Sequence, residues 1–142
     1  VYKRQEEPPV IVYGRSLGGA VAMQLASERP TLGVIVESAF SSMLDMAAHL
    51  YPFLPYRWLG RYRFDTARTA ARVRVPKLIA HSAEDELNPE AMGREIYEAA
   101  AEPKQYHALS GGHGEPGWVM NPAYHETLED FIRQVQQNVP AA

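Results

Sequence analysis

The chain has 142 residues, enough for one domain, and 46% of them are hydrophobic, enough to fill a core. A formal net charge of −3 gives no basic field for nucleic acid or an anionic membrane surface. There is no cysteine, which excludes disulfides, a thiolate nucleophile and cysteine-based metal sites, and no apolar run approaches the length of a membrane span.

Val1 to Gln5 (VYKRQ) is what the DNA GTGTATAAGAGACAG encodes, a transposon end used to fragment DNA for sequencing, so residues 1–5 are read as an adapter-derived scar. On that reading the native N-terminus, and any signal peptide on it, would lie upstream. The lack of cysteine then favours the cytoplasm only weakly.

The first strand is expected at Val10 to Tyr13, apolar throughout, as for a parallel strand covered on both faces. It runs into Gly14-Arg15-Ser16-Leu17-Gly18, followed at once by a helix from Leu17 to about Glu28, with Leu17, Val21 and Leu25 as its apolar face. A Gly-x-Ser-x-Gly pentapeptide would arise by chance in on the order of a few per cent of chains this long. Strand, sharp turn and helix in that order are the context in which it marks a nucleophile elbow. The turn strains the serine backbone, and Gly14 and Gly18 are expected to keep Cβ atoms away from the close approach of strand and helix. Ser16 would then project from the strand's carboxyl end, with the backbone N–H of Leu17 facing any developing oxyanion.

Pro30 ends that helix, and Leu32 to Glu37 is a second buried strand. Ser41 or Ser42 is expected to cap a helix running toward Tyr51. Tyr51 to Phe64 concentrates eight aromatic or leucine residues among two prolines and three arginines. Two readings stand for it: a pocket wall over an apolar substrate, or a plug against the side of the core. Asp65 or Thr66 caps a short helix to about Ala71. Val75 to Ser82 is the third strand, and Ala83 to Asn88 is the loop at its end. Pro89 opens a helix to about Ala101 with Met92, Ile96 and Ala100 on one face. Gln105 to Leu109 is the fourth strand and Ser110 to Glu115 the Gly-rich loop beyond it. A last helix, roughly Asn121 to Gln137, would bury Tyr124, Leu128, Phe131, Ile132 and Val135.

Strands alternating with helices predict an α/β fold, a parallel sheet of about four strands with helices on both faces. In such sheets the chemistry gathers at the strands' carboxyl ends, and the loops there carry Ser16, Asp85 and His113. A serine hydroxyl needs a base, and imidazole suits that near neutral pH; the base needs a carboxylate to fix its tautomer. Of the five histidines, His49 and His125 fall in helices and His81 and His107 in strands, where packed or surface roles are the common ones. Only His113 sits in a Gly-rich loop at the correct strand end. Asp85 leads as the acid by position, with Glu84 and Glu86 beside it left open.

Taken together, YGRSLGGAVA, ESAFSSM, the aromatic segment ending RFDTA, VPKLIAHSAEDELNP and LSGGHGEPG resemble the C-terminal half of an α/β hydrolase. They are similar to the branch holding lipid and thioester hydrolases and protein depalmitoylases. The resemblance covers nearly all of Val10 to Phe131. It implies Ser16 as nucleophile, Asp85 as acid and His113 as base. It implies acyl transfer from a small-molecule ester or thioester to water, without metal or organic cofactor. Ser82, where relatives usually have glycine, and Gly114, where many have asparagine, depart from the pattern. The resemblance also implies that residues 6–139 supply strands five to eight of an eight-stranded sheet, with residues 140–142 a tail. The second oxyanion donor would then lie on an earlier loop, Leu17 N–H would be half of the hole, and the Val10 strand would be an open apolar edge. The chain by itself is accordingly expected to be inactive and poorly soluble.

Other classes remain in view. A peptidase or carbon–carbon hydrolase of the same fold would share these residues, whereas a non-catalytic binding protein that kept the fold usually loses one of them, so the intact set argues against it. A metal-dependent hydrolase is weaker: His125-Glu126-x-x-Glu129 lacks the second histidine of a zinc motif. No phosphate-binding Gly-rich loop or dinucleotide fingerprint appears.

Overall fold

The computed structural model describes residues 10–53 and 64–138. The adapter-like Val1 to Gln5, most of the aromatic Tyr51 to Phe64 segment and the tail at 140–142 lie outside the described residues.

Apolar β-prone runs broken by helix starters give, in order, β1 (Ile11–Arg15), α1 (Leu17–Glu28), β2 (Gly33–Glu37), α2 (Met43–Leu50), α3 (Thr66–Ala70), β3 (Lys77–Ser82), α4 (Glu90–Ala99), β4 (Lys104–Leu109), α5 (Gly117–Met120) and α6 (Pro122–Gln137). The short α5 has no counterpart in the sequence reading. The four strands form one sheet in the order β1-β2-β3-β4, and every pairing is parallel. Ser42 caps α2 by accepting the backbone N–H of Asp45, and Asp65 rather than Thr66 caps α3 by accepting that of Arg68.

Alternation along β2 divides the core. Val34 and Val36 face a layer built from Ala22 and Met23 of α1, Ala67 and Ala70 of α3 and Ile96 of α4. Ile35 faces the opposite way, with Leu78, Ala80 and Leu109, onto Tyr124, Phe131 and Val135 of α6. Helices therefore cover both faces, as expected. Within α6, Ile132 departs from expectation: it is exposed rather than buried.

The apolar face of α1 is the larger correction. Leu17, Val21 and Leu25 are 51%, 49% and 41% exposed, and the buried face is Gly19, Ala20, Ala22 and Met23. Both stripes recur at helical spacing, and close approach chooses the small one. A Cβ on Gly19 would sit 2.8 Å from Ala39 Cβ and 3.0 Å from Val36 Cγ1, so small residues let the helix lie tight against β2. The larger side chains are left outward; β1 pairs with β2 alone among the described residues and leaves Val10 and Tyr13 each 46% exposed. No helix among the described residues is long and apolar enough to cross a membrane.

At the opposite end of the sheet from the loops of interest, Lys77 is fully buried, its ammonium donating to the Ala101 carbonyl at 2.6 Å and the Pro103 carbonyl at 3.3 Å. Burial pulls the group down to about 8 from an ordinary value of 10.5. Between those values the unfolded chain holds the proton and the folded chain releases it, so stability rises with pH in that window. Relative to Lys77→Met, the wild-type chain should gain about 2 kcal/mol between pH 8 and pH 10 in urea titrations. A flat difference across that range would contradict the assignment.

Candidate active site

The turn after β1 is built by one steric requirement and one strained residue. A Cβ on Gly14 would fall 2.0 Å from the Gly18 carbonyl oxygen and 2.8 Å from Ala22 Cβ, so strand and helix can meet only over a glycine. Gly18 itself faces open space, with nothing within 4 Å of where a Cβ would stand, so the second close approach expected there belongs to Gly19 instead. Ser16 takes φ 54°, ψ −123°, a conformation that side chains rarely adopt. Its N–H donates to the Glu37 carbonyl at 2.8 Å and its own carbonyl accepts from Gly19 N at 2.9 Å, which pins the strained turn from both sides. Leu17 opens α1, so its N–H is one of the first-turn donors that have no intrahelical acceptor.

Two further loops converge on this turn. His113 Nε2 lies 3.0 Å from Ser16 Oγ, and His113 Nδ1 lies 2.8 Å and 3.0 Å from the two carboxylate oxygens of Asp85. A carboxylate only accepts, so the Nδ1–H donates to Asp85 and Nε2 is left to accept the Ser16 hydroxyl proton. The Asp85 side chain is fully buried and that of His113 is 13% exposed. Asp85 Oδ1 also accepts the N–H groups of Leu87 and Asn88, at 3.0 Å and 2.8 Å, which fixes the carboxylate before the imidazole arrives. The three residues singled out in the sequence thus form one hydrogen-bonded chain from three loops. Such a chain can draw a proton from the hydroxyl and stabilise the resulting imidazolium.

No family model matches the chain. Among curated proteins, it is 37% identical over 130 residues to an uncharacterised protein of Mycobacterium tuberculosis, a match covering 90% of this chain and 46% of that one. It is 32% identical over 107 residues to the alpha/beta hydrolase domain-containing protein WAV2 of Arabidopsis thaliana, covering 65% of this chain and 35% of that one. Among solved structures, it superposes on the esterase domain of a Rhodothermus marinus protein with a TM-score of 0.71 and 25% identity, over 92% of this chain and 62% of that one. The chain has the α/β-hydrolase fold. It spans less than half the length of those curated relatives.

Within this α/β-hydrolase site, the two acids flanking Asp85 have their own tasks. Glu84 Oε2 accepts the backbone N–H of Gly111 at 2.9 Å, and Glu86 Oε2 accepts that of His113 at 2.9 Å. That bond to the His113 N–H holds the Glu86 carboxyl below its usual range. Three consecutive acids therefore grip the same loop, one by the ring and two by the backbone. Asn121, just ahead of α6, closes the loop from its other end by accepting from Ser110 N and Oγ, each at 2.8 Å.

Two of the remaining histidines, His81 and His107, have hydrogen-bond partners of their own. His81 is buried behind Asp85 and donates through Nε2 to the Asn88 carbonyl at 2.7 Å; burial pulls its pKa down, so it sits neutral. His107 Nδ1 shares a hydrogen bond of 2.9 Å with the Thr127 hydroxyl, and its ring packs against Tyr124. The two departures from the family pattern are absorbed locally. Ser82 Oγ accepts the Glu84 N–H at 3.0 Å, and Gly114 has open space where a side chain would stand.

Sequence reasoning passed over Arg15 and Glu37. Glu37 is completely buried at the end of β2, and its carboxylate accepts from Tyr13 OH at 2.8 Å, Arg15 Nε at 3.1 Å and Gly117 N at 2.8 Å. Burial, together with the hydrogen bond to Glu37, raises the Tyr13 hydroxyl pKa. Arg15 donates its other arm to the His113 carbonyl. The available signal was a lone charge ending an otherwise apolar strand at the carboxyl, site-bearing edge.

Proposed function

We propose that this chain carries the nucleophile, base and acid of a serine hydrolase that cleaves carboxylic esters or thioesters through an acyl-enzyme. The observation that carries the reading is the continuous chain Ser16–His113–Asp85, with bonds of 3.0 Å and 2.8 Å, on a strained turn at the sheet's carboxyl edge. A named relative agrees in reaction class: a lysophosphatidylserine lipase of Danio rerio is 26% identical over 153 residues, a match covering 88% of this chain and 40% of that one.

In the proposed reaction Ser16 Oγ attacks the acyl carbon as its proton passes to His113 Nε2. Asp85 holds the ring's tautomer and stabilises the imidazolium. The carbonyl oxygen becomes the oxyanion, accepting from Leu17 N–H. Collapse of the tetrahedral intermediate expels the alcohol or thiol, which takes the proton from His113. Water then repeats the sequence on the acyl-enzyme and releases the acid. A second oxyanion donor is assigned to the part of the fold that the longer relatives have and this chain does not span, and loss of one donor typically costs roughly 10²–10³ in rate. The activity is therefore proposed for a longer polypeptide of which residues 6–139 form the second half.

The test is a fluorophosphonate, applied to the chain and to the same chain joined to its upstream coding sequence, with the adduct mapped by mass spectrometry. Modification at Ser16, faster in the longer protein, together with p-nitrophenyl ester hydrolysis, is the expected result. A folded longer protein that takes no label would overturn the reading in favour of a binding protein of the same fold.

A further inference from the structure

The nucleophile loop and the base loop share a second connection, independent of the Ser16–His113 bond. Its centre is Glu37. The backbone carbonyl of Glu37 accepts the N–H of Ser16 at 2.8 Å, so this residue positions the strained turn directly. Its carboxylate, with no solvent exposure, accepts from Arg15 Nε at 3.1 Å and from Gly117 N at 2.8 Å. Arg15 is the residue immediately before Ser16, and its terminal nitrogen donates to the carbonyl of His113. One buried carboxylate thus reaches the nucleophile's neighbour on one side and the segment just beyond the base on the other.

The chemistry of the three partners suits that task. A guanidinium is a rigid planar fork, able to donate to a carboxylate and a carbonyl at once along fixed directions, which an ammonium on a flexible stem cannot do. The buried carboxylate has three donors: the Arg15 guanidinium, the Tyr13 hydroxyl and the Gly117 N–H. Gly117 is required as glycine for the contact, since a Cβ there would fall 2.7 Å from Leu109 Cδ1 and 3.1 Å from Glu37 Cδ. The Arg15 side chain meets the base loop at the His113 carbonyl.

We propose that Arg15 and Glu37 are positioning residues that set the distance between Ser16 Oγ and His113 Nε2 by clamping the His113 backbone to the nucleophile turn. This rests on the serine-hydrolase reading for its consequence in rate, and on the geometry alone for its consequence in structure. A misplacement of about 1 Å between reacting groups costs on the order of 10² in rate.

The test compares wild type with Arg15→Ala and Arg15→Lys. The side chain of Arg15 is 26% exposed, so guanidinium ions can reach the gap that its truncation leaves beside the buried Glu37 carboxylate. Two signals are read. The first is the rate of fluorophosphonate capture at Ser16. The second is the downfield imidazole proton that His113 shares with Asp85, followed by NMR, which reports the loop whether or not Ser16 reacts. Arg15→Ala is expected to lose about 10- to 100-fold in capture rate and to broaden or lose the imidazole signal. Millimolar guanidinium should restore part of both, and Arg15→Lys should fall between. An unchanged imidazole proton with an unchanged rate would overturn the proposal. So would a loss that guanidinium does not restore and that tracks a fall in melting temperature, because the role would then be structural only. If wild type shows the imidazole proton but takes no label, the serine-hydrolase reading fails while the clamp is still decided by the response of that proton in the variants.

Discussion

Asp85→Asn is expected to abolish nearly all activity, by about 10⁴, in a protein that melts close to wild type. The reason lies in how the carboxylate is held. Its Oδ1 accepts the N–H groups of Leu87 and Asn88, and an asparagine oxygen can take over both bonds without moving. The amide nitrogen then occupies the position of Oδ2, which is 2.8 Å from His113 Nδ1. An amide donates there, so the ring must accept at Nδ1 and carry its proton on Nε2, where it faces the Ser16 hydroxyl and can no longer take its proton. His113→Ala removes the base outright and should cost about 10⁴ or more, on the order of losses seen when one member of such a unit is deleted. Fluorophosphonate capture rates and ester hydrolysis by the longer protein measure both. Activity of Asp85→Asn within tenfold of wild type would move the acid's role to Glu84 or Glu86, whose bonds to the loop backbone otherwise account for them.

The second large effect is on folding. Gly14→Ala places a methyl 2.0 Å from the Gly18 carbonyl oxygen and 2.4 Å from its carbon. Both are backbone atoms of the first turn of α1, so relief requires the helix to lift from the strand and give up the packing of Ala22 and Met23 on Val36. A cost above about 3 kcal/mol is expected, a large share of the roughly 5–15 kcal/mol that holds a domain together. Gly18→Ala is the control. With nothing within 4 Å and a helical backbone, it should be neutral or stabilising by up to about 1 kcal/mol. Urea denaturation of the pair reads the difference, and equal midpoints would refute the steric account of the turn.

That pair also shows where reading the chain ends. Strand–turn–helix at Ser16 and the placement of Asp85 after β3 and His113 after β4 were legible because each rests on local rules: apolar runs, turn glycines and the position of loops at the carboxyl ends of parallel strands. The inward face of α1 was not. Leu17, Val21 and Leu25 recur at helical spacing and carry most of the apolar surface, so periodicity alone selects them. The competing stripe of Gly19, Ala20, Ala22 and Met23 wins because the distance between helix and sheet is set by the smallest residues at the contact, a tertiary quantity that spacing does not encode. The same limit applies to Gly18 against Gly19. Glu37 is a third case. A charge in a buried strand is intelligible only once Tyr13, Arg15 and Gly117 arrive from elsewhere to satisfy it.

The pairing of β3 with β4 has a consequence for the precision of the acid and base. Ser82 pairs with Leu109, and Asp85 and His113 stand only three and four residues beyond those partners. Sliding one strand past the other by a single residue shifts the loops by about 3.3 Å and turns each side chain to the opposite face. That is longer than the 2.8 Å bond between Asp85 and His113, so a sheet slipped between β3 and β4 cannot form it. The sheet therefore works as a vernier: Leu78 and Leu109 on one face and Ile79 on the other lock its setting by burial. Hydrophobic side chains with no chemistry of their own thus decide, to within the length of one residue, whether the polar ones can meet.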